Sequence, residues 1–109
     1  QLLCIGGKPG DSVEFEFNQL EDCPYQLVVY ATKAPDYGIV SFSVNGQDTH
    51  IKWDGYDTKV TLSDPISLGC YSPVRGALTL KISLSGANPK AVEEKNLFGL
   101  DAIQLMKKQ

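Results

Sequence analysis

The sequence predicts an all-β fold: an antiparallel β-sandwich or barrel of eight or nine short strands, with at most one short helix. Three observations carry this. Apolar residues recur with a period of two along most of the chain, the repeat of a half-buried strand. Turn signals built from Gly, Pro and Asn separate these runs at spacings of about 8–12 residues. The length, 109 residues, is one domain's worth, so 1–109 is read as a single β-sandwich domain.

The strands follow in order. A short first strand spans 2–5. In 12–18, Val13, Phe15 and Phe17 share one face and alternate with polar residues. The nearly continuous 26–32 (Gln-Leu-Val-Val-Tyr-Ala-Thr) reads as a central strand covered on both sides. In 39–44, Val40, Phe42 and Val44 face one way and Ser41 and Ser43 the other. Asn45-Gly46 follows, a dipeptide that accepts positive φ at both central positions of a hairpin turn. Its partner strand, 47–53, sets Ile51 and Trp53 on a common face, so core packing is the first reading of Trp53. Asp54-Gly55 is a second turn signal.

Two short strands, 59–62 and 66–70, are separated by Ser63-Asp64-Pro65. Leu78, Leu80, Ile82 and Leu84 alternate with Thr79, Lys81 and Ser83 in the cleanest amphipathic strand. The last strand covers about 100–106. Only 88–95 reads as helical, with Asn88 as cap and Pro89 at the first helical position. The expected core is Val13, Phe15, Phe17, Leu27, Val29, Val40, Phe42, Val44, Leu80, Ile82, Ile103 and Leu105.

Composition narrows the function classes. Ten basic and 13 acidic residues give a net charge of −3, with no like-charge block. That balance lacks the electrostatic footprint of a nucleic-acid or anionic-membrane binder. No apolar run reaches the roughly 18–20 residues of a membrane span, so no membrane insertion is expected. Gln1 reads as the start of a processed or excised chain. The three cysteines, Cys4, Cys23 and Cys70, lack CxxC spacing, and the sequence has one His, which argues against structural zinc. Two or three buried reduced thiols are expected; one disulfide plus a leftover thiol is the alternative.

Catalytic chemistry finds little support. His50 falls on the face opposite Ile51, where solvent is expected, and no GxSxG, HExxH or P-loop motif occurs. Two constellations stand out instead. Thr32-Lys33-Ala34-Pro35-Asp36-Tyr37-Gly38 crowds a cation, a carboxylate and a hydroxylated ring into one connection between strong strands. Loops on a rigid sandwich are where binding groups sit; the bland reading is a turn anchored by Asp36. In Phe98-Gly99-Leu100-Asp101, Asp101 is in phase with Ile103 and Leu105 and is therefore expected to face the core, buried or nearly so and fully hydrogen-bonded, without calcium. Among other loop aromatics, Tyr56 is expected to be exposed, and Tyr71 is a further candidate for stacking on sugar.

These segments resemble a known domain type. Gln1-Leu2-Leu3 followed by Lys8-Pro9-Gly10-Asp11, the Thr32–Gly38 motif with its Asn-Gly hairpin, Ala87-Asn88-Pro89-Lys90-Ala91 and Phe98-Gly99-Leu100-Asp101 together resemble an accessory domain of secreted bacterial polysaccharide-degrading proteins. That domain accompanies glycoside hydrolases of the fructofuranosidase and arabinanase type. The resemblance covers nearly the whole chain. It implies a jelly-roll, galactose-binding-like sandwich and a non-catalytic module of a secreted, periplasmic or cell-surface bacterial protein. In related carbohydrate-binding jelly rolls an Asn before the last strand contacts sugar and Glu residues of the first strand help to hold calcium. Here Gly99 stands at the former position and 2–5 contains no Glu, departures that count against sugar contact at that edge and leave structural calcium as the less favoured alternative. Residues 47–73 also depart from the domain's plainer pattern.

The expected function is a carbohydrate-binding-type accessory module, not an enzyme, with no cofactor. Its partner is a glycan or a neighbouring domain of the same chain. The alternative is a structural sandwich that packs on a catalytic neighbour and binds no sugar. The candidate sugar contacts are Lys33, Asp36 and Tyr37, then Tyr56 and Asn88.

Overall fold

A computed structural model of the chain describes residues 3–5, 10–35, 37–87 and 98–108. The expected helix over 88–95, together with Asp36 and Asn88, lies outside the described residues. The described residues form nine strands: β1 (Leu3–Ile5), β2 (Ser12–Phe17), β3 (Tyr25–Lys33), β4 (Gly38–Val44), β5 (Gln47–Asp54), β6 (Thr61–Leu62), β7 (Ile66–Tyr71), β8 (Leu78–Ala87) and β9 (Phe98–Lys107).

They form two antiparallel sheets. Sheet A runs β1-β9-β3, with β6 and β7 end to end along the far edge of β3; sheet B runs β2-β8-β4-β5. Counting β6 and β7 as one edge position gives the interleaved order of a jelly roll, in which successive strands cross mostly between sheets. The alternation read from the sequence decides which residues lie between the layers. Leu27 and Val29 of β3, Val40, Phe42 and Val44 of β4, and Leu80 and Ile82 of β8 are buried as expected. Val13, Phe15 and Phe17 are only half-buried, because β2 is the edge of sheet B. Ile103 and Leu105 are also half-buried; among the described residues β1 pairs with β9 at Phe98, Gly99 and Leu100.

Turn chemistry holds where the strands meet. Asn45 and Gly46 take φ of 51° and 79°, the left-handed pair that a two-residue hairpin requires. The Asn45 side chain also accepts the Thr79 N–H at 2.9 Å, tying this hairpin to β8. Asp54-Gly55 differs from the expectation of a second simple turn. Asp54 Oδ1 accepts the Tyr56 N–H at 2.9 Å, while Gly55 is buried rather than left-handed. A Cβ at Gly55 would lie 3.0 Å from the Gly38 carbonyl oxygen and 3.1 Å from the Trp53 ring, so a side chain there would have to push its neighbours back by a few tenths of an ångström.

Candidate functional site

Backbone pairing knits two connections together at one end of the sandwich. The first joins β3 to β4 and carries Lys33, Ala34 and Tyr37; the second follows β5 and carries Gly55, Tyr56 and Asp57. Ala34 N–H donates to Gly55 O at 2.9 Å, and Gly55 N–H donates to Gly38 O at 3.0 Å. Ala34 O accepts from both Tyr37 N–H and Asp57 N–H at 3.2 Å. Ala34 and Tyr56 form a parallel bridge. The fold therefore brings Lys33, Tyr37 and Tyr56 together, although 19 positions separate Tyr37 from Tyr56 in the chain.

Trp53 lies beneath this junction. Its ring meets Phe98 edge-on, with centroids 5.7 Å apart and planes at 86°. Lys33 Nζ sits 5.9 Å from the Trp53 ring centroid, within cation–π range. Tyr37 is 9% exposed and Tyr56 is half-buried. Tyr56 is thus not the exposed loop ring that was expected, because its backbone is bridged to β3's continuation. Tyr71 lies at the other end of sheet A, opposite Tyr25, and its hydroxyl donates to Leu68 O at 2.6 Å. Burial, and then the neighbouring Cys70, push the Tyr71 pKa up. The aromatics named from the sequence consequently do not converge on one open surface.

A bulge in β9 sets the position of Asp101, which was expected to be buried or nearly so. The pairing of β3 with β9 shifts between Tyr30 and Ala31, leaving Asp101 as an extra residue in β9. This bulge reverses the phase of the strand: Phe98 and Leu100 enter the core before it, and Ile103 and Leu105 pack against the core after it. Asp101 is half-buried, and Thr32 Oγ1 donates toward its carboxylate, 2.9 Å and 3.1 Å from the two oxygens. Thr32, 7% exposed, figures in the sequence only as part of the 26–32 strand and the first residue of the 32–38 connection; its alternation with Ala31 is the signal that places it on the outer face.

That outer face of sheet A holds groups that sequence reasoning passed over. Residues directly opposite one another in an antiparallel pair share a face. Tyr30 faces Ala102, Val28 faces both Gln104 and Ser67, and Leu62 faces Thr32. Tyr30 Oη donates to Gln104 Oε1 at 3.0 Å, and Gln26 Nε2 donates to Ser67 Oγ at 3.3 Å. The β3 strand is central, as expected, but Gln26 and Tyr30 remain half-exposed.

Elsewhere, His50 has a side chain 87% exposed, with its Nδ1 3.8 Å from Asp48 Oδ2. It sits where the β4–β5 register shifts, with φ of 60°. Among the described residues no group of three or more His, Cys, Asp or Glu is placed to hold a metal ion. Cys23 is half-buried and Cys70 exposed, both as free thiols. The expectation of burial fails for Cys70 because it lies on edge strand β7, directly after the left-handed Gly69. Among the described residues no helix is long and apolar enough to cross a membrane.

No protein-family model matches the chain, and no curated protein matches it. Among solved structures, a Paenibacillus xanthan lyase is similar, with a TM-score of 0.76 and 24% sequence identity. The superposition covers 93% of this chain and 10% of the lyase chain. At that identity the likeness establishes the fold: nearly all of this β-sandwich corresponds to a small part of a much longer protein that is named as a polysaccharide-processing enzyme.

Proposed function

We propose that the chain is a non-catalytic accessory domain of a secreted glycan-processing protein, of the carbohydrate-binding type. The observation that carries this reading is the fold likeness, in which 93% of the chain corresponds to 10% of a xanthan lyase. A domain that forms so small a share of such a chain fits an auxiliary role beside a separate catalytic unit. The position of His50 agrees with this. It stands in solvent on a strand face, not in an enclosed site suited to proton transfer. The reading requires no metal or other cofactor.

The test is affinity electrophoresis of the isolated domain in gels containing soluble polysaccharides: galactomannan, hydroxyethyl cellulose, arabinan, xanthan and polygalacturonate. Retardation by at least one, unchanged by chelator, is the expected result. A mobility unchanged in every gel would overturn carbohydrate binding. It would leave a second reading, a sandwich that packs on a neighbouring domain. One observation favours that alternative: Tyr37 and Trp53 are turned toward the protein's own side chains and not outward.

A further inference from the structure

We infer that the glycan-contacting surface is the outer face of sheet A, centred on Tyr30, and that it takes an extended, uncharged polysaccharide chain; this rests on the carbohydrate-binding reading above. The loop end offers a ligand little ring surface. Tyr37 is buried, Tyr56 is half-buried, and the Trp53 ring packs at right angles to Phe98 with the Lys33 ammonium beside it. On the outer face of sheet A, by contrast, Tyr30 lies opposite exposed Ala102, whose methyl leaves space beside the ring. The Tyr30 hydroxyl reaches diagonally across to Gln104, so the side chain leans over the sheet toward β9. A ring held in that way can present a π-face to the C–H groups of a sugar.

The polar groups around the ring suit hydroxyls. Gln26 and Gln104 each carry an amide with both donor and acceptor atoms. Both amides are already oriented, one by Ser67 and one by Tyr30. Such orientation reduces the entropy lost when a ligand binds. From Gln26 to Thr32 the strand spans roughly 20 Å at about 3.3 Å per residue, room for several sugar rings in a row.

Charge selects the ligand class. Among the described residues of this face, the side chains that β3 presents and those opposite them on β6, β7 and β9 are uncharged. The one carboxylate nearby, Asp101, receives a hydrogen bond from Thr32. The outer face of sheet B instead pairs Glu14 with Lys81 and places Glu16 and Lys52 on exposed positions. A neutral polyhydroxylated chain loses no ion hydration on the sheet A face and gains no attraction from sheet B. Among the described residues an acidic glycan finds no cation on the sheet A face beside β3.

The experiment compares four proteins in the same gels: wild type, Tyr30→Ala, Tyr30→Phe and Tyr56→Ala, each with a thermal melt. The expected result is retardation of wild type by galactomannan or hydroxyethyl cellulose, insensitive to added salt. Tyr30→Ala should weaken it at least tenfold, Tyr30→Phe should retain most of it, and Tyr56→Ala should leave it intact. Because Tyr30 lies on the outer face, its variants should melt within a few degrees of wild type. Gln104→Ala, which removes only the amide, is the second variant should Tyr30→Ala fold poorly, and it should weaken retardation severalfold. Binding that survives Tyr30→Ala but is lost in Tyr56→Ala would overturn the assignment while sparing the carbohydrate-binding reading. So would retardation by polygalacturonate or xanthan alone, abolished by salt. No retardation of wild type in any gel would overturn both. A wild type that sediments as a dimer and becomes monomeric in Tyr30→Ala would reassign the face to a protein contact.

Discussion

Sheet B turns Glu14, Glu16, Lys52 and Lys81 to solvent, whereas sheet A turns out Gln26, Tyr30, Ala102 and Gln104. Both faces are built on the same pleat, over one shared core. The difference teaches that solvent exposure alone does not set their composition. A face that only needs to stay soluble does well with charges of both signs, as sheet B does. Depletion of charge around an aromatic is the pattern of a surface that meets something. The comparison also separates two kinds of aromatic. Tyr37 and Trp53, which attract notice in the sequence, serve the packing of one end of the sandwich. Tyr30, embedded in an apolar run, is the one held at a surface.

The largest expected effect removes the support common to both faces. Phe42 is 1% exposed between the sheets, and Phe42→Ala should cost about 3–5 kcal/mol in urea or thermal unfolding. The same truncation at half-buried Phe15, on edge strand β2, should cost clearly less. Equal losses would mean that the two sheets do not share the core as described.

Next is the junction beside sheet A. Gly55→Ala introduces a methyl 3.0 Å from a backbone oxygen and 3.2 Å from Tyr37 Cβ, where little can yield. A cost of about 1–3 kcal/mol is expected. A melting temperature within one degree of wild type would show that the two connections are not locked together.

A subtler change sharpens the contrast at the margin of the uncharged face. Thr32→Val keeps the shape but removes the donor to Asp101, and should cost about 1–2 kcal/mol near neutral pH. Thr32→Ser restores the donor and should recover most of that loss; failure to do so would attribute the effect to packing alone.

The end of the sandwich away from the Gly55 junction responds to alkali. The folded state holds the Tyr71 pKa above its ordinary value of 10.0, so it prefers the protonated phenol. The resulting stabilisation is complete below 10.0 and is lost as pH rises through the higher folded value. Lys107, whose pKa is raised first by its hydrogen bond to Glu21, has the same sign. Phenolate absorbance should include a late-titrating phase, and Tyr71→Phe should remove it.

Smallest is the charged face. Glu14→Lys sets a like charge opposite Lys81 and should destabilise by less than about 1 kcal/mol. It should not alter retardation by any neutral glycan.

Most of the fold is legible in the residues. Strict alternation marks β2 and β8, and Asn45-Gly46 marks the hairpin between β4 and β5. The illegible parts share a cause: a bulge adds one residue without leaving a composition signal. At Asp101 it exchanges the inward and outward positions of β9, so simple parity sends the carboxylate inward and misses Phe98 and Leu100. The candidate site is less legible. Lys33, Tyr37 and Tyr56 do come together, but their burial depends on Gly55 meeting Gly38 across a distance in sequence that periodicity cannot measure. The uncharged face is hidden for another reason. Val28 and Thr32 are buried on the outward phase, so 26–32 reads as one continuous apolar strand.

The end-to-end placement of β6 and β7 has a consequence for how copies of this protein meet in concentrated solution. An uninterrupted border strand beside β3 would offer a long row of unpaired amides, a template for sheet growth from molecule to molecule. Here that border is broken. After Leu62 the chain leaves the strand, Ser63 N–H turns inward to bond Ala31 O at 2.9 Å, and Asp64-Pro65 intervene before pairing resumes. Gly69, with φ of 101°, marks a second irregularity within β7. A foreign strand could register with only a few residues before meeting a proline or a bulge. Leu62, 76% exposed, can therefore stand at this border without making it an initiation point for fibres.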